Sequence, residues 1–238
     1  MSKTIFITGS SRGIGKALAR EAKNSGYTVI LHGKKKSKEL LSLSKELNSK
    51  YLIFDVNNVH NIKLAFKKIN KIDILVNSAG INISKVFLKL KDKDWRSIYN
   101  TNIFGVSNVI KYALPILKKS SLSSKIINIA SVKGTYSAVG HVAYASSKAA
   151  LINLTTGLAK ELSPKIMVNS ISPGFVNTDM TKKTFSKRVK KQISSILLKR
   201  VAKPEEIANV ILFLCSDKCT YMTGQNIIVD GGFGIKNE

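Results

Sequence analysis

Residues 4–15 read Thr4-Ile5-Phe6-Ile7-Thr8-Gly9-Ser10-Ser11-Arg12-Gly13-Ile14-Gly15. The apolar run Ile5-Phe6-Ile7 predicts a short buried strand, and the amphipathic segment 16–25 predicts a helix directly behind the glycines. Glycines let a chain turn tightly and bring its backbone close to a ligand. The helix that follows presents free N–H groups and the positive end of its dipole, which together suit a pyrophosphate. The spacing is Gly-x-x-x-Gly-x-Gly and not the commoner Gly-x-Gly-x-x-Gly. The order strand, glycine turn, helix is nevertheless the context that makes a glycine pattern a dinucleotide site.

Working outward, strand-like apolar runs recur at 28–31, 51–54, 74–76, 126–129, 167–171 and 226–229, with helix-like stretches at 38–48, 61–70, 95–119, 143–162 and 205–216. Such alternation predicts a doubly wound, parallel, seven-stranded α/β sheet with helices on both faces and a ligand across the carboxyl ends of its strands. The 238 residues suffice for one large core, and no linker, low-complexity tract or repeat interrupts them, so a single domain over 1–238 is expected.

A second cluster lies mid-chain: Tyr144-Ala145-Ser146-Ser147-Lys148, with Ser131 upstream. Residues four apart share a helix face, so the phenol of Tyr144 and the ammonium of Lys148 project side by side. A neighbouring positive charge favours phenolate, so Lys148 is expected to lower the Tyr144 pKa towards the range of a working general acid.

Thr8-Gly9-Ser10-Ser11-Arg12-Gly13-Ile14-Gly15, Asn77-Ser78-Ala79-Gly80, Asn102, Ser131, Tyr144, Lys148, Pro173-Gly174 and the closing Val229-Asp230-Gly231-Gly232 stand in the order and spacing of the short-chain dehydrogenase/reductase family, which the chain resembles from about Lys3 to Gly232. One departure is Ser78, where that family more often has a second Asn. The resemblance implies a Rossmann-type fold and hydride transfer between a nicotinamide and a carbonyl group. Tyr144 would be the proton donor, Ser131 would bond the carbonyl oxygen, and Lys148 would hold the nicotinamide ribose. Asn102 would hold a water that resupplies the proton through Lys148. For the cofactor it implies contacts from Gly9, Ser11, Arg12, Gly13, Ile14 and Gly15. Asp55 and Val56 would meet the adenine, Asn77, Ala79 and Gly80 would line the ribose path, and Pro173, Gly174, Val176 and Thr178 would fix the nicotinamide amide.

An acid at the end of the second strand would select NAD by bonding its ribose 2′-hydroxyl. Here the strand runs into Leu31-His32-Gly33-Lys34-Lys35-Lys36, with no acid. Lys34, with the planar guanidinium of Arg12, is expected to read a 2′-phosphate, which favours NADP(H).

Within the family the chain is most similar to 3-oxoacyl-[acyl-carrier-protein] reductases, on Ser10 to Gly15, Pro173-Gly174-Phe175-Val176-Asn177-Thr178-Asp179-Met180 and Tyr221-Met222-Thr223-Gly224-Gln225. That likeness implies an acidic carrier protein as partner, docked near Lys125 and Lys165, a lid over 177–200, and a homotetramer built on the helices 95–119 and 143–162. Apolar residues in excess of one core stripe, such as Phe104, Val106, Val109, Ile110, Leu151, Ile152 and Leu154, agree with such pairing, or simply face the sheet. The same fold acting on a sugar, a polyol or a small ketone is the alternative.

The formal charge is +25, from 39 basic residues against 14 acidic ones, most of the basic ones Lys. That balance attracts phosphorylated and acidic ligands in a salt-dependent way. The lysines are dispersed, without the aromatic interleaving or arginine stripe of a nucleic-acid surface, and biased nucleotide composition accounts for them; a basic nucleic-acid-binding protein on the same fold is the remote alternative. Cys215 and Cys219 are too few for a disulfide framework or a full metal site, and His32, His60 and His141 are scattered, so reduced thiols and no metal are expected. With a first strand from about Lys3 and no long apolar run, neither a signal peptide nor a membrane span is expected, and the location expected is cytoplasmic.

Overall fold

Strands β1 (Thr4–Thr8), β2 (Thr28–Gly33), β3 (Lys50–Ile53), β4 (Ile74–Asn77), β5 (Ser124–Ile129), β6 (Ile166–Pro173) and β7 (Asn226–Val229) form one parallel sheet in the order β3-β2-β1-β4-β5-β6-β7. The computed structural model describes residues 2–120, 124–178 and 193–236. Every residue of β1, β4 and β5 is buried, because helices cover both faces; this is why those strands read as continuous apolar runs and not as an alternation. The pleat still sorts them. Ile5 and Ile7 enter one core with Leu18 of α1 (Gly13–Asn24), Leu40 and Leu43 of α2 (Lys38–Glu46) and Ile207 and Ile211 of α7 (Pro204–Cys215). Phe6 enters the other, with Ile62 and Phe66 of α3 (Val59–Phe66), Val109 and Ala113 of α5 (Gly105–Leu117) and Leu151 of α6 (Val142–Leu162).

Chain order reverses between β1 and β4, the neighbours Ile5 and Ile74 being in register. At such a switch point the connections diverge to opposite faces and leave a crevice outside the carboxyl ends of the strands. Thr8 closes its floor: its hydroxyl oxygen accepts from the amides of Ser78 and Ala79, both at 3.1 Å.

The expected helix 95–119 is instead three pieces: α4 (Asp92–Tyr99), a π-turn at Asn100–Phe104, and α5. Widened turns of this kind arise where a side chain is recruited elsewhere. Asn102, at the centre of the turn, is fully buried and bonded to the β4 loop, and Gly105 packs where a Cβ would lie 2.7 Å from Val56 Cγ2. Of the apolar surplus on these helices, Val106, Val109, Ile110 and Leu151 lie in the core, and Phe104 is 58% exposed.

Two expectations need correction or limits. Lys125 is the second residue of β5 and is only 2% exposed; its ammonium donates to the carbonyls of Ser216 (2.5 Å) and Cys219 (2.6 Å) beyond the end of α7. It cannot greet a carrier protein. Lys165 is exposed, but it precedes β6 and so lies at the opposite end of its strand from Pro173 and the crevice. Of the expected lid 177–200, residues 179–192 lie outside the described residues; Val176 pairs with Ala202 and Ile196 is buried. Cys215 and Cys219 are free and buried, and no helix among the described residues is long and apolar enough to cross a membrane.

Candidate active site

The glycine turn is packed to a tolerance that admits no side chains. Gly9 has φ +65°, and a Cβ there would stand 2.8 Å from Ala79 Cα; a Cβ on Gly15 would stand 2.5 Å from the Gly9 carbonyl oxygen. Bare backbone thus faces the crevice just where α1 begins. Ser11 and Ile14 are half-buried in this turn, Arg12 caps the helix and is exposed, and Thr178 reaches over to lie 3.5 Å from the position of a Gly13 Cβ. Across the crevice, a Cβ on Gly174 would stand 2.8 Å from Asp230 Cα, so the turn after Pro173 is equally bare, and Val176 is buried behind it.

At the ends of β2 and β3 Lys34 and Asp55 meet in an ion pair of 2.7 Å. This pair and the Asn57 amide hold the Asp55 carboxyl below its usual range, against the opposing effect of burial. Val56 is buried beside it. Asn77 donates to Asn128 Oδ1 (2.9 Å) while its own Oδ1 is buried without a partner among the described residues. A bare phosphate cradle, a basic rim and an unsatisfied buried acceptor fit a dinucleotide.

At the chemical end, Ser131 leaves β5 and caps a 3-10 turn (Val132–Gly134), its oxygen accepting from the Lys133 amide at 3.2 Å. Its hydroxyl neighbours the Tyr144 phenol and favours the phenolate, pulling the Tyr144 pKa down. Tyr144 and Lys148 lie one turn apart on α6, with Lys148 Nζ 5.8 Å from the centroid of the Tyr144 ring and donating to the Ile129 carbonyl at 2.7 Å. The side chains are held in place by their elements: Asn128 Nδ2 donates to Thr155 Oγ1 (2.9 Å), which ties β5 to α6 about two turns beyond Lys148.

Burial governs the protonation states. Lys148 is 5% exposed and forms no ion pair among the described residues, and desolvation takes its pKa down to about 8. Tyr144 moves up: desolvation outweighs the pull of Ser131, which acts in the opposite direction. The expected lowering of the tyrosine by Lys148 is therefore outweighed by desolvation of the phenol, and the ammonium itself is bonded to the Ile129 carbonyl. Asn102 is engaged at both ends of its amide. Its Oδ1 accepts from the Ile81 amide (2.9 Å) and its Nδ2 donates to the Ile81 carbonyl and to Ser147 Oγ, both at 3.0 Å. One amide hydrogen is spent on the chain after Gly80 and the other on Ser147 of α6, so a water held by this side chain would have to donate to Oδ1. Asn102 Oδ1 and Lys148 Nζ both face Gly80, 3.3 and 3.6 Å from the place of its Cβ.

Sequence reasoning missed several contributors. Ser147, fully buried, orients Asn102; Gly134 allows the turn after Ser131 to press on α6, where a Cβ would stand 2.8 Å from the Lys148 carbonyl carbon. Lys133, two residues from Ser131, is half-buried, and desolvation takes its pKa down to about 8. His32 was set aside as scattered; it is 2% exposed and bonded to Gly9.

The sequence model of a family described as Enoyl-(Acyl carrier protein) reductase matches residues 9–234. The chain is 39% identical to the 3-oxoacyl-[acyl-carrier-protein] reductase FabG of Aquifex aeolicus, over 97% of this chain and 96% of that protein. It is 41% identical to the protein of the same name from Thermotoga maritima, covering 98% of each. A crystal structure described as short-chain dehydrogenase/reductase SDR:Glucose/ribitol dehydrogenase, from Brucella melitensis, superposes with a TM-score of 0.90 at 34% identity, covering 97% of this chain and 96% of that one. With its Gly9–Gly15 turn at the switch point, its Ser131–Tyr144–Lys148 grouping and these relatives, the chain belongs to the short-chain dehydrogenase/reductase family.

Proposed function

We propose that this protein reduces 3-oxoacyl groups carried on acyl carrier protein to the 3-hydroxyacyl products, with NADPH, as a step of fatty acid biosynthesis. The observation that carries the reading is the grouping of Ser131, Tyr144 and Lys148, with the Lys148 ammonium 5.8 Å from the Tyr144 ring centroid, in a chain whose near-full-length relatives include 3-oxoacyl-[acyl-carrier-protein] reductases.

NADPH, when bound, supplies the hydride that reaches the carbonyl carbon. The protein manages the oxygen. Ser131 turns its hydroxyl from Tyr144 to the carbonyl oxygen and stabilises the charge that develops there. Tyr144, kept protonated by burial, gives its proton to the same oxygen as general acid. Lys148 would hold the ribose, and its charge would stabilise the phenolate that the transfer leaves behind. Carbonyl, hydride and proton sum to the hydroxyl, and solvent restores the Tyr144 proton. Arg12, exposed on the glycine turn, and Lys34 would take the 2′-phosphate. A homotetramer in the cytoplasm completes the reading, with exposed Phe104 as a contact of the paired helices.

Absorbance of NADPH tests this, with acetoacetyl thioester on acyl carrier protein or coenzyme A, and NADH, sugars, polyols and simple ketones alongside. Fast turnover of the carrier-bound substrate with NADPH is expected. Silence there with turnover of a sugar, polyol or simple ketone overturns the substrate, and silence on all of them overturns the reductase.

A further inference from the structure

His32 occupies a position from which one ring touches both halves of the adenosine site. It is the penultimate residue of β2 and is 2% exposed, its ring 4.1 Å from that of Phe54 and edge-on to Phe6. Aromatic packing alone would be served equally by Phe. The polar contacts are what a Phe could not supply. The Gly9 amide donates to Nδ1 at 3.0 Å, and Nε2 lies 2.9 Å from the Phe54 carbonyl. A backbone amide only donates and a carbonyl only accepts, so the ring is fixed as the neutral tautomer with its hydrogen on Nε2. The backbone of the same residue continues the connection: its amide donates to Ser10 Oγ at 2.8 Å and its carbonyl accepts from the Ser10 amide at 3.0 Å.

Gly9 and Ser10 open the phosphate turn, and Phe54 immediately precedes Asp55. Gly9 has little freedom to compensate for a lost partner, because Ala79 and Gly15 already press on it. Its inward-facing amide would be left buried without an acceptor if the ring were removed. The distance between the glycine turn and the Lys34–Asp55 pair is thereby set through a single imidazole.

We propose that His32 is a positioning residue of the cofactor site: its Gly9 and Phe54 hydrogen bonds hold the phosphate turn and Asp55 at the separation that the adenosine half of the dinucleotide spans. The proposal rests on the nicotinamide-cofactor reading above. It touches neither substrate nor the reacting atoms, so its signature is loss of cofactor affinity out of proportion to loss of turnover.

The test is direct calorimetric titration of NADPH into the wild type and into His32→Asn, His32→Gln and His32→Phe, with KM for NADPH, kcat and melting temperature measured on the same samples. Asn can place its amide oxygen near Nδ1 and keep the Gly9 bond, Gln can place its amide nitrogen near Nε2 and keep the Phe54 bond, and Phe keeps neither. A rise of tenfold or more in Kd and KM is expected for His32→Phe, with a much smaller fall in kcat and partial recovery in His32→Asn. Equal Kd values in all four proteins overturn the inference, as does a loss of melting temperature that accounts for the whole defect, since the ring would then be a packing residue only. No NADPH binding by the folded wild type would instead overturn the cofactor reading on which the inference stands.

Discussion

Lys34 and Asp55 face each other at 2.7 Å across the ends of β2 and the β3 loop, so the two residues expected to meet opposite ends of an adenosine phosphate meet each other first. The pair is weak as a stabilising contact, because the Lys34 side chain is 74% exposed and exposed ion pairs contribute roughly 0–1 kcal/mol. A dianionic 2′-phosphate arriving between Lys34 and Arg12 therefore offers a stronger partner at little cost. Lys34→Ala or Arg12→Ala should raise the Kd for NADPH by about 10- to 100-fold, the value of one charge-assisted hydrogen bond, and leave NADH nearly unchanged. Equal losses for both cofactors in a binding titration would show that neither side chain reads the 2′-phosphate.

Tyr144→Phe removes the proton donor and keeps the ring. Turnover should fall by about 10²–10⁴-fold, the usual contribution of a positioned general acid. NADPH affinity should stay within about twofold, since the phenol's neighbour is Ser131 and not the glycine turn. Retained turnover would reassign the acid.

Much of this arrangement was legible in the chain because its signals are local. A run such as Ile5-Phe6-Ile7, a glycine trio and an i, i+4 pair are each set by a few consecutive residues, and all seven strands form near where their apolar runs lie. What was not legible depends on partners distant in sequence. The break in the helix at Asn100–Phe104 follows from a bond between Asn102 and Ile81, and the role of His32 from bonds to Gly9 and Phe54. The Tyr144 shift depends on how deeply the phenol is desolvated, which helical spacing does not encode. Lys125 shows the same limit from the other side: a basic residue before a strand reads as a surface contact until the carbonyls that bury it are known.

Lys125→Met should accordingly cost stability and not carrier recognition. It removes the donor to the Ser216 and Cys219 carbonyls, leaving buried acceptors whose loss is worth about 1–3 kcal/mol. Chemical denaturation should show that loss, while KM for the carrier-bound substrate stays within about twofold. A large rise in KM without destabilisation would restore Lys125 as a docking residue.

Acid should loosen the fold through His32. Its pKa in the folded chain is about 4, lowered by burial against the opposing pulls of its Phe54 bond and of Asp55, itself paired with Lys34. The unfolded chain protonates near pH 6.5. Stability is therefore complete above pH 6.5 and is lost as pH falls from there towards 4, on the order of 3 kcal/mol from this residue. His32→Phe should abolish that part of the slope, read from denaturant midpoints between pH 4 and 7. An unchanged slope would remove His32 as its source.

The alkaline end of the activity profile should belong to Lys148 and not to Tyr144. Desolvation leaves Lys148 titrating near pH 8, while it moves Tyr144 upward, so the acid remains protonated after the ammonium has been lost. If the charged lysine is what anchors the ribose and favours the phenolate, kcat/KM for NADPH, which reports the free enzyme, falls as pH rises through about 8. Stability runs the other way. A lysine whose folded pKa lies below 10.5 burdens the native state with a buried charge below pH 8, and that burden is relieved between 8 and 10.5, so this residue raises the melting temperature while activity declines. Opposite trends in the two measurements separate Lys148 titration from simple alkaline unfolding. Lys148→Arg, whose guanidinium does not deprotonate in this range, should lose the limb near pH 8 whatever its residual rate. Persistence of that limb in the variant would assign it to another group, with half-buried Lys133 the first to examine.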